Sequence, residues 1–440
     1  MIDISNKITI DRISPDDGNY FFGYYDISPE SPDGSKVLVN KTPFIDRMPG
    51  QKDELEIGYI DIAKSEYHYI GKTTAWNFQE GCRLQWIDDN RIIYNARNEN
   101  NDGFHSVVYD IEIARIVKEY SIPIATLSPS RGIAVCHSFI RNKYSYPYEG
   151  KLAQEIDIDG GLFLLDLKTG ESKCIIKMKE LCDTAETIGL DNWVEHCVIN
   201  PEGNRFFFVQ RWIAKNGAIL MNLCVSELNG KFKVLLKNSF VSHAGWRGND
   251  QISVWCRMPS GINAIQKGGL LRKNPQLYSV LINIYHSIIK SNKIRNKIAN
   301  DSYVIFDVEK NVSNKINNDD LSTDGHDTWS VNKRYMLTDT YPDKEGNRLL
   351  LVYDSRENQV FLLGRFFSFP KKEQGIDCQW NSSPMRCDLH PKQTFLQNNI
   401  YFDSVHEGYR GLYCIKISDY LGGWNDAKDK KKGVGRKFDE

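Results

Sequence analysis

Nine histidines occur in 440 residues, and four of them open stretches of one kind: HCVINPEGNRFFFVQRW from His196, HAGWRGNDQISVWCR from His243, HDTWSVNKRYMLTDT from His326 and HPKQTFLQNNIYFDS from His390. Each stretch places a polar turn before a run of β-forming residues. Imidazole is the side chain whose charge changes near neutral pH, so it serves as acid, base or metal ligand. If the four stretches take equivalent places in a repeated architecture, four imidazoles far apart in sequence converge on one pocket. The alternative is local: each histidine closes a turn by bonding nearby backbone.

The segment SSPMRCDLHP (382–391) puts Arg386, Cys387, Asp388 and His390 together, and FDSVHEGYRG (402–411) adds His406, Glu407 and Arg410. Thiolate, imidazole and carboxylate are transition-metal ligands, although the spacing is not that of a standard zinc motif. The same residues suit an ion-pair network that staples the end of the chain. Arg97, Arg211 and Arg257 each end a β-forming run, in YNAR, VQRW and VWCR. A guanidinium at such a place grips a carboxylate in bidentate fashion, or pairs with a loop acid. Trp212 and Trp246 stand near these arginines and offer flat faces for sugar rings. Arg257, Arg410, Lys392 and Trp246 are therefore the expected substrate-binding set, and an acidic oligo- or polysaccharide satisfies both charge and shape.

The elements that must position these residues form a degenerate repeat. A Ser-Pro-Asp-Gly-like turn is followed by a β-forming run, a variable loop and a second apolar run. Seven copies are visible, starting near residues 24, 84, 124, 196, 243, 326 and 390. Units of this length repeated seven times are the signature of a β-propeller, whose blades are four-stranded sheets around a central channel. The expected fold is all-β, one seven-bladed propeller over residues 1–424. KITIDRIS (7–14) has strand composition and is expected to complete the last blade, leaving no free edge. Apolar residues at Leu277, Leu281, Ile284, Ile288 and Ile289 predict one amphipathic helix inserted at about 275–300, and the charged run 425–440 is expected to be a disordered tail.

Composition narrows the function classes. Lys+Arg 56 against Asp+Glu 57 gives a net charge of −1, which removes the broad positive face of a protein that grips nucleic acid or anionic lipid. No run approaches the roughly 18 apolar residues of a membrane helix, and MIDISNKITIDRIS lacks a basic segment followed by an apolar one. Ten cysteines stand singly, as reduced thiols do. A cytoplasmic location is expected. There is no GxSxG, P-loop, GxGxxG or HExxH, so no nucleotide or organic cofactor is expected. Nothing in the sequence sets the oligomeric state.

With those residues in view, the chain resembles the propeller-shaped polysaccharide lyases, above all the oligogalacturonate lyases and more loosely the ulvan lyases. The likeness lies in YFFGYYDISPESPDG (20–34), GHDTW (325–329) with LTDTYPD (337–343), and RCDLHP (386–391) with FDSVHEGYRGLY (402–413). It implies β-elimination on a uronic-acid sugar: a divalent ion polarises the C6 carboxylate, an arginine assists and a histidine removes the C5 proton. By this resemblance His243 falls in the place of the base and Arg211 in that of the assisting arginine, with His196 beside them as a further catalytic candidate. His326 and His390 match two metal-binding histidines, Cys387 stands where the family has a glutamine, and Lys392 where it has another histidine. Cys387 with His326 and His390 makes a zinc-favouring set, whereas the family's ion is manganese-like. The other reading, from a different class, is a non-catalytic propeller that binds carbohydrate or a protein partner.

Overall fold

The computed structural model describes residues 1–100, 103–139, 161–215, 217–259, 299–368, 386–394, 399–417 and 420. They form seven sheets, each built on antiparallel strands consecutive in sequence, two of them with an added N-terminal strand, so the fold is a seven-bladed propeller. The first four blades span Asn19–Phe21 to Glu66–Thr73, Gln85–Trp86 to Arg115–Tyr120, Thr126–Ser128 to Ser172–Lys177, and Asn192–Ile199 to Phe232–Ser239. The fifth runs from Val241–Trp246 to Val312–Lys315, the sixth from Thr328–Trp329 to Gln359–Phe367, and the seventh from Lys392–Gln393 to Gly411–Lys416. The first strands of blades five, six and seven pack on one another in turn, which places them around the axis. The predicted helix at about 275–300 lies almost entirely outside the described residues, and the tail 425–440 lies wholly outside them.

Closure uses the N-terminal segment. Asp11–Arg12 pairs antiparallel with Gly411–Lys416 as the fourth strand of blade seven, and Ile2–Asp3 adds a parallel fifth strand to blade six. Both blades thereby hide an edge that would otherwise present unpaired backbone groups.

The repeated turn explains the sequence pattern. In Asn200-Pro-Glu-Gly-Asn the Asn200 amide donates to the Arg205 carbonyl, and Gly203 takes φ +70°, where a Cβ would lie 2.3 Å from Ser128 Oγ. Only glycine suits both constraints. Tryptophans at the ends of first strands lock neighbouring blades. Trp86 Nε1 donates to Pro29 O at 2.8 Å, Trp246 Nε1 to Val198 O at 2.9 Å and Trp329 Nε1 to Ser253 Oγ at 2.7 Å. Each indole buries its rings between blades and satisfies its one polar atom.

An element the sequence pattern did not announce is the α-helix Met178–Ala185, between blades three and four. Its Met178, Leu181 and Ala185 face the core, so only one short stripe anchors it. A helix of two turns leaves too little periodicity to be read among strands.

Candidate functional site

The four histidines sit on four consecutive blades, and the inner ends of those blades bring them together. Between ring centroids, His196 lies 6.2 Å from His243, His243 3.9 Å from His326, and His326 4.4 Å from His390. Local backbone irregularity aims them. His196 and His243 each lie where the pairing of the first strand with the second slips, between Glu195 and Val198 and between Val241 and Ala244. A bulge of this kind re-aims a side chain out of the regular alternation. His196 and His390 also hold φ of +52° and +45°, a left-handed conformation unfavourable for a side chain with a Cβ. Tyr24, from the first blade, fills the centre of the arc, 5.4 Å from His196 and 4.9 Å from His390.

The hydrogen bonds give each imidazole a different task. His196 Nε2 meets Glu195 Oε1 at 2.9 Å and its Nδ1 meets Tyr24 Oη at 3.1 Å. A carboxylate only accepts, so the shorter Glu195 contact sets the hydrogen on Nε2, from which Arg211 Nη2 stands 3.5 Å, and Nδ1 accepts from the tyrosine. With burial holding its pKa down, His196 has no lone pair left for a substrate proton or a metal. Its partners are those of a positioning group, not of the catalytic residue expected.

His243 donates Nδ1–H to Asp324 at 3.0 Å, and Ser242 Oγ bonds the other carboxylate oxygen at 2.5 Å. Burial opposes a charged ring, but Asp324, with Asp388 and Asp339 behind it, outweighs that and holds the pKa above the ordinary imidazole value. Fixing Nδ1–H leaves the lone pair on Nε2, the arrangement of a general base oriented by a carboxylate.

His326 donates Nδ1–H to Asp339 at 2.9 Å, and His390 donates Nδ1–H to the Gly23 carbonyl at 2.8 Å. Both rings are buried, and both Nε2 atoms lack a hydrogen-bond partner among the described residues, His390 Nε2 lying 3.9 Å from Asp388 Oδ2. Burial, and then the neighbouring imidazole, holds both pKa values well below the usual range, so the two lone pairs stay available. Ligand atoms of His326, Asp388 and His390 lie within 4.8 Å of one another. Two orphaned buried nitrogens and a carboxylate, with each Nδ1–H already anchored, fit a divalent cation.

Cys387 is not among them. Its thiol belongs to the apolar cluster of Trp76, Phe78, Cys82 and Val405, where burial pushes it up to about 12. Adjacent residues of an extended segment point to opposite sides, so Asp388 and not Cys387 faces the histidines. An oxygen donor, Asp388, thus stands where the thiolate was expected. Asp388 is itself held by Arg348 Nη1 at 2.6 Å and Arg386 Nε at 2.7 Å. Burial works against its charge, and these two guanidiniums overcome it, keeping the carboxyl well below the usual range.

The expected substrate-binding residues divide. Trp246 is an inter-blade staple packed on Phe207, not a sugar platform. Arg410 is 2% exposed, stacks on Phe78 and Phe21, and donates to the carbonyls of Phe78 and Arg386. It holds backbone and is sealed from a ligand. Arg257 is closed by a bidentate pair with Asp301 at 2.7 and 2.8 Å. Lys392 donates to the Asp26 carbonyl at 3.2 Å, and burial draws its ammonium down to about 8. Arg211 is paired with Glu195 at 2.6 Å, beside His196. Asp324 and Tyr24 were not legible as partners, because each lies in a loop remote in sequence, whereas Glu195 stands beside His196 in its own strand and was missed. Arg386 and Asp388 carried a signal in their closeness to His390.

No protein-family profile and no curated protein sequence matches the chain. Two solved structures share its fold over nearly the whole length. An oligogalacturonate lyase in complex with manganese aligns with TM-score 0.60 and 13% identity, over 94% of this chain and 95% of that one. An oligogalacturonate lyase from Vibrio parahaemolyticus aligns with TM-score 0.58 and 12% identity, over 95% and 96%. A prolyl endopeptidase also aligns, with TM-score 0.50 and 9% identity over 90% of this chain and 50% of that one. The likeness therefore establishes the propeller, and the chemistry must be argued from the site.

Proposed function

We propose that the protein is a polysaccharide lyase that cleaves a uronic-acid-containing saccharide by β-elimination. The observation that carries the reading is His243, held at Nδ1 by Asp324 and lying 3.9 Å from the His326 ring of a cation-ready cluster. The same fold, over the same length, belongs to oligogalacturonate lyases, one of them solved with manganese.

In this reading His243 Nε2 takes the C5 proton. That proton becomes acidic only when the adjacent carboxylate is neutralised, since the electron pair left behind spreads onto its oxygens as an enolate. Arg386 suits this task. Arg348 and Arg386 share the single carboxylate of Asp388, so two guanidiniums meet there, with Asp324 and Asp339 as the other acids near His243. Arg211, already matched by Glu195, supports the opposite flank. A divalent ion held by His326, His390 and Asp388 would supply Lewis-acid polarisation of the same carboxylate. Collapse of the enolate expels O4 and forms a C4–C5 double bond.

Incubation with a panel of uronic-acid oligosaccharides, followed by ultraviolet absorbance, tests this. New absorbance from an unsaturated uronate supports elimination. Binding of the same saccharides with no absorbance change supports the non-catalytic propeller instead.

A further inference from the structure

Expulsion of O4 raises a second proton problem, because a sugar alkoxide leaves poorly unless it is protonated as the bond breaks. C5–H and O4 sit on adjacent carbons, so where both lie on one face of the sugar ring a donor standing next to the base reaches O4. Among the hydroxyls around His243, Tyr25 Oη is committed to Ala244, bonding its carbonyl at 2.9 Å and its amide at 3.0 Å. Tyr24 Oη is committed to His196.

Tyr341 differs. It lies in the loop after the blade-six strand Tyr335–Asp339, partly exposed, with its ring centroid 6.2 Å from that of His243. Its oxygen accepts a hydrogen bond from Arg386 Nη2 at 3.2 Å, and its own hydroxyl hydrogen has no acceptor among the described residues. The guanidinium of Arg386 stands 4.9 Å from the ring centroid and that of Arg348 6.0 Å. The proton is therefore free to be given, and the phenolate left behind would meet positive charge. Burial keeps the phenol in its protonated form before reaction.

We infer that Tyr341 is a second catalytic residue of this site, the proton donor to the glycosidic oxygen leaving C4. The inference rests on the elimination reading. His243 takes the C5 proton, and the C5–H electron pair becomes the second bond between C4 and C5. The C4–O4 bond breaks with its pair on oxygen, and that oxygen takes the Tyr341 proton. Imidazolium and phenolate are left, and solvent exchange returns one proton from the first to the second.

The test compares wild type, Tyr341→Phe and His243→Ala on two uronates, one with a sugar at O4 and one with fluoride at C4, while NMR in D2O follows exchange of the C5 proton. Fluoride leaves without protonation. Tyr341→Phe should lose roughly 10²–10⁴-fold on the glycosyl substrate, lose less than about 10-fold on the fluoride, and keep C5 exchange. Equal loss on both substrates, or undiminished turnover of the glycosyl substrate, overturns the assignment while leaving the elimination reading intact. Absence of an unsaturated product from both substrates in wild type, or its undiminished formation in His243→Ala, overturns the elimination reading and this assignment with it.

Discussion

His243 and His326 lie 3.9 Å apart between ring centroids, each donating Nδ1–H to its own carboxylate, yet their proton affinities are driven in opposite directions. Asp324 lifts His243 against burial, whereas burial and the adjacent His243 hold His326 down. One ring is suited to receive a proton and its neighbour to keep a lone pair for a cation. His243→Ala should abolish elimination while leaving saccharide binding nearly unchanged by calorimetry, because a base acts in the transition state. Asp324→Asn should lower kcat by roughly 10²-fold or more with little change in KM, since it disturbs the tautomer and not the pocket.

The metal set makes a second prediction. His326→Gln and His390→Gln should each strip bound divalent ion from protein purified without chelator, as read by elemental analysis. Cys387→Ser should leave the metal content unchanged and instead destabilise the fold by about 1–3 kcal/mol, because a hydroxyl then replaces a thiol in an apolar cluster. Loss of metal in Cys387→Ser would overturn the assignment of the donors.

Arg410 should behave as a stability residue. Replacing it by Met removes the donor to the Phe78 carbonyl and one of the two donors to the Arg386 carbonyl, the other being Gln79 Nε2 at 2.9 Å. Unfolding in denaturant should show a loss of about 2–4 kcal/mol, with KM of the folded fraction unchanged. A raised KM without loss of stability would return Arg410 to the substrate.

Glu195 sets a pH dependence of stability. Burial opposes its charge, but Arg211 and His196 bring its pKa down from 4.5 to about 2. A depressed folded pKa stabilises the native state above the unfolded value, and that contribution is lost as pH falls from about 4.5 towards 2. The full effect is on the order of 3 kcal/mol. The stability difference between wild type and Glu195→Gln should therefore be constant above about pH 5 and shrink steadily below it. A difference that does not change down to pH 2.5 would show that the pair does not shift this carboxyl.

The sequence by itself determined the architecture, because what specifies a blade is local: a turn such as Asn200-Pro-Glu-Gly-Asn, a run of alternating β-formers, and a tryptophan at the end of a first strand. Repeating that unit seven times leaves a ring as the closed solution, and the phase of His196, His243, His326 and His390 within it places them on four consecutive blades. What each histidine does was decided only by tertiary structure. Asp324 reaches His243 across 81 residues and Gly23 reaches His390 across 367, so no spacing announces either pairing. The exchange of Cys387 for Asp388 turns on which side of an extended segment faces the axis, a one-residue choice that residue type leaves open. Trp246 and Arg410 read as ligand-binding types for the same reason. A large amphipathic side chain serves a pocket or a blade interface equally well, and packing between blades chose the interface.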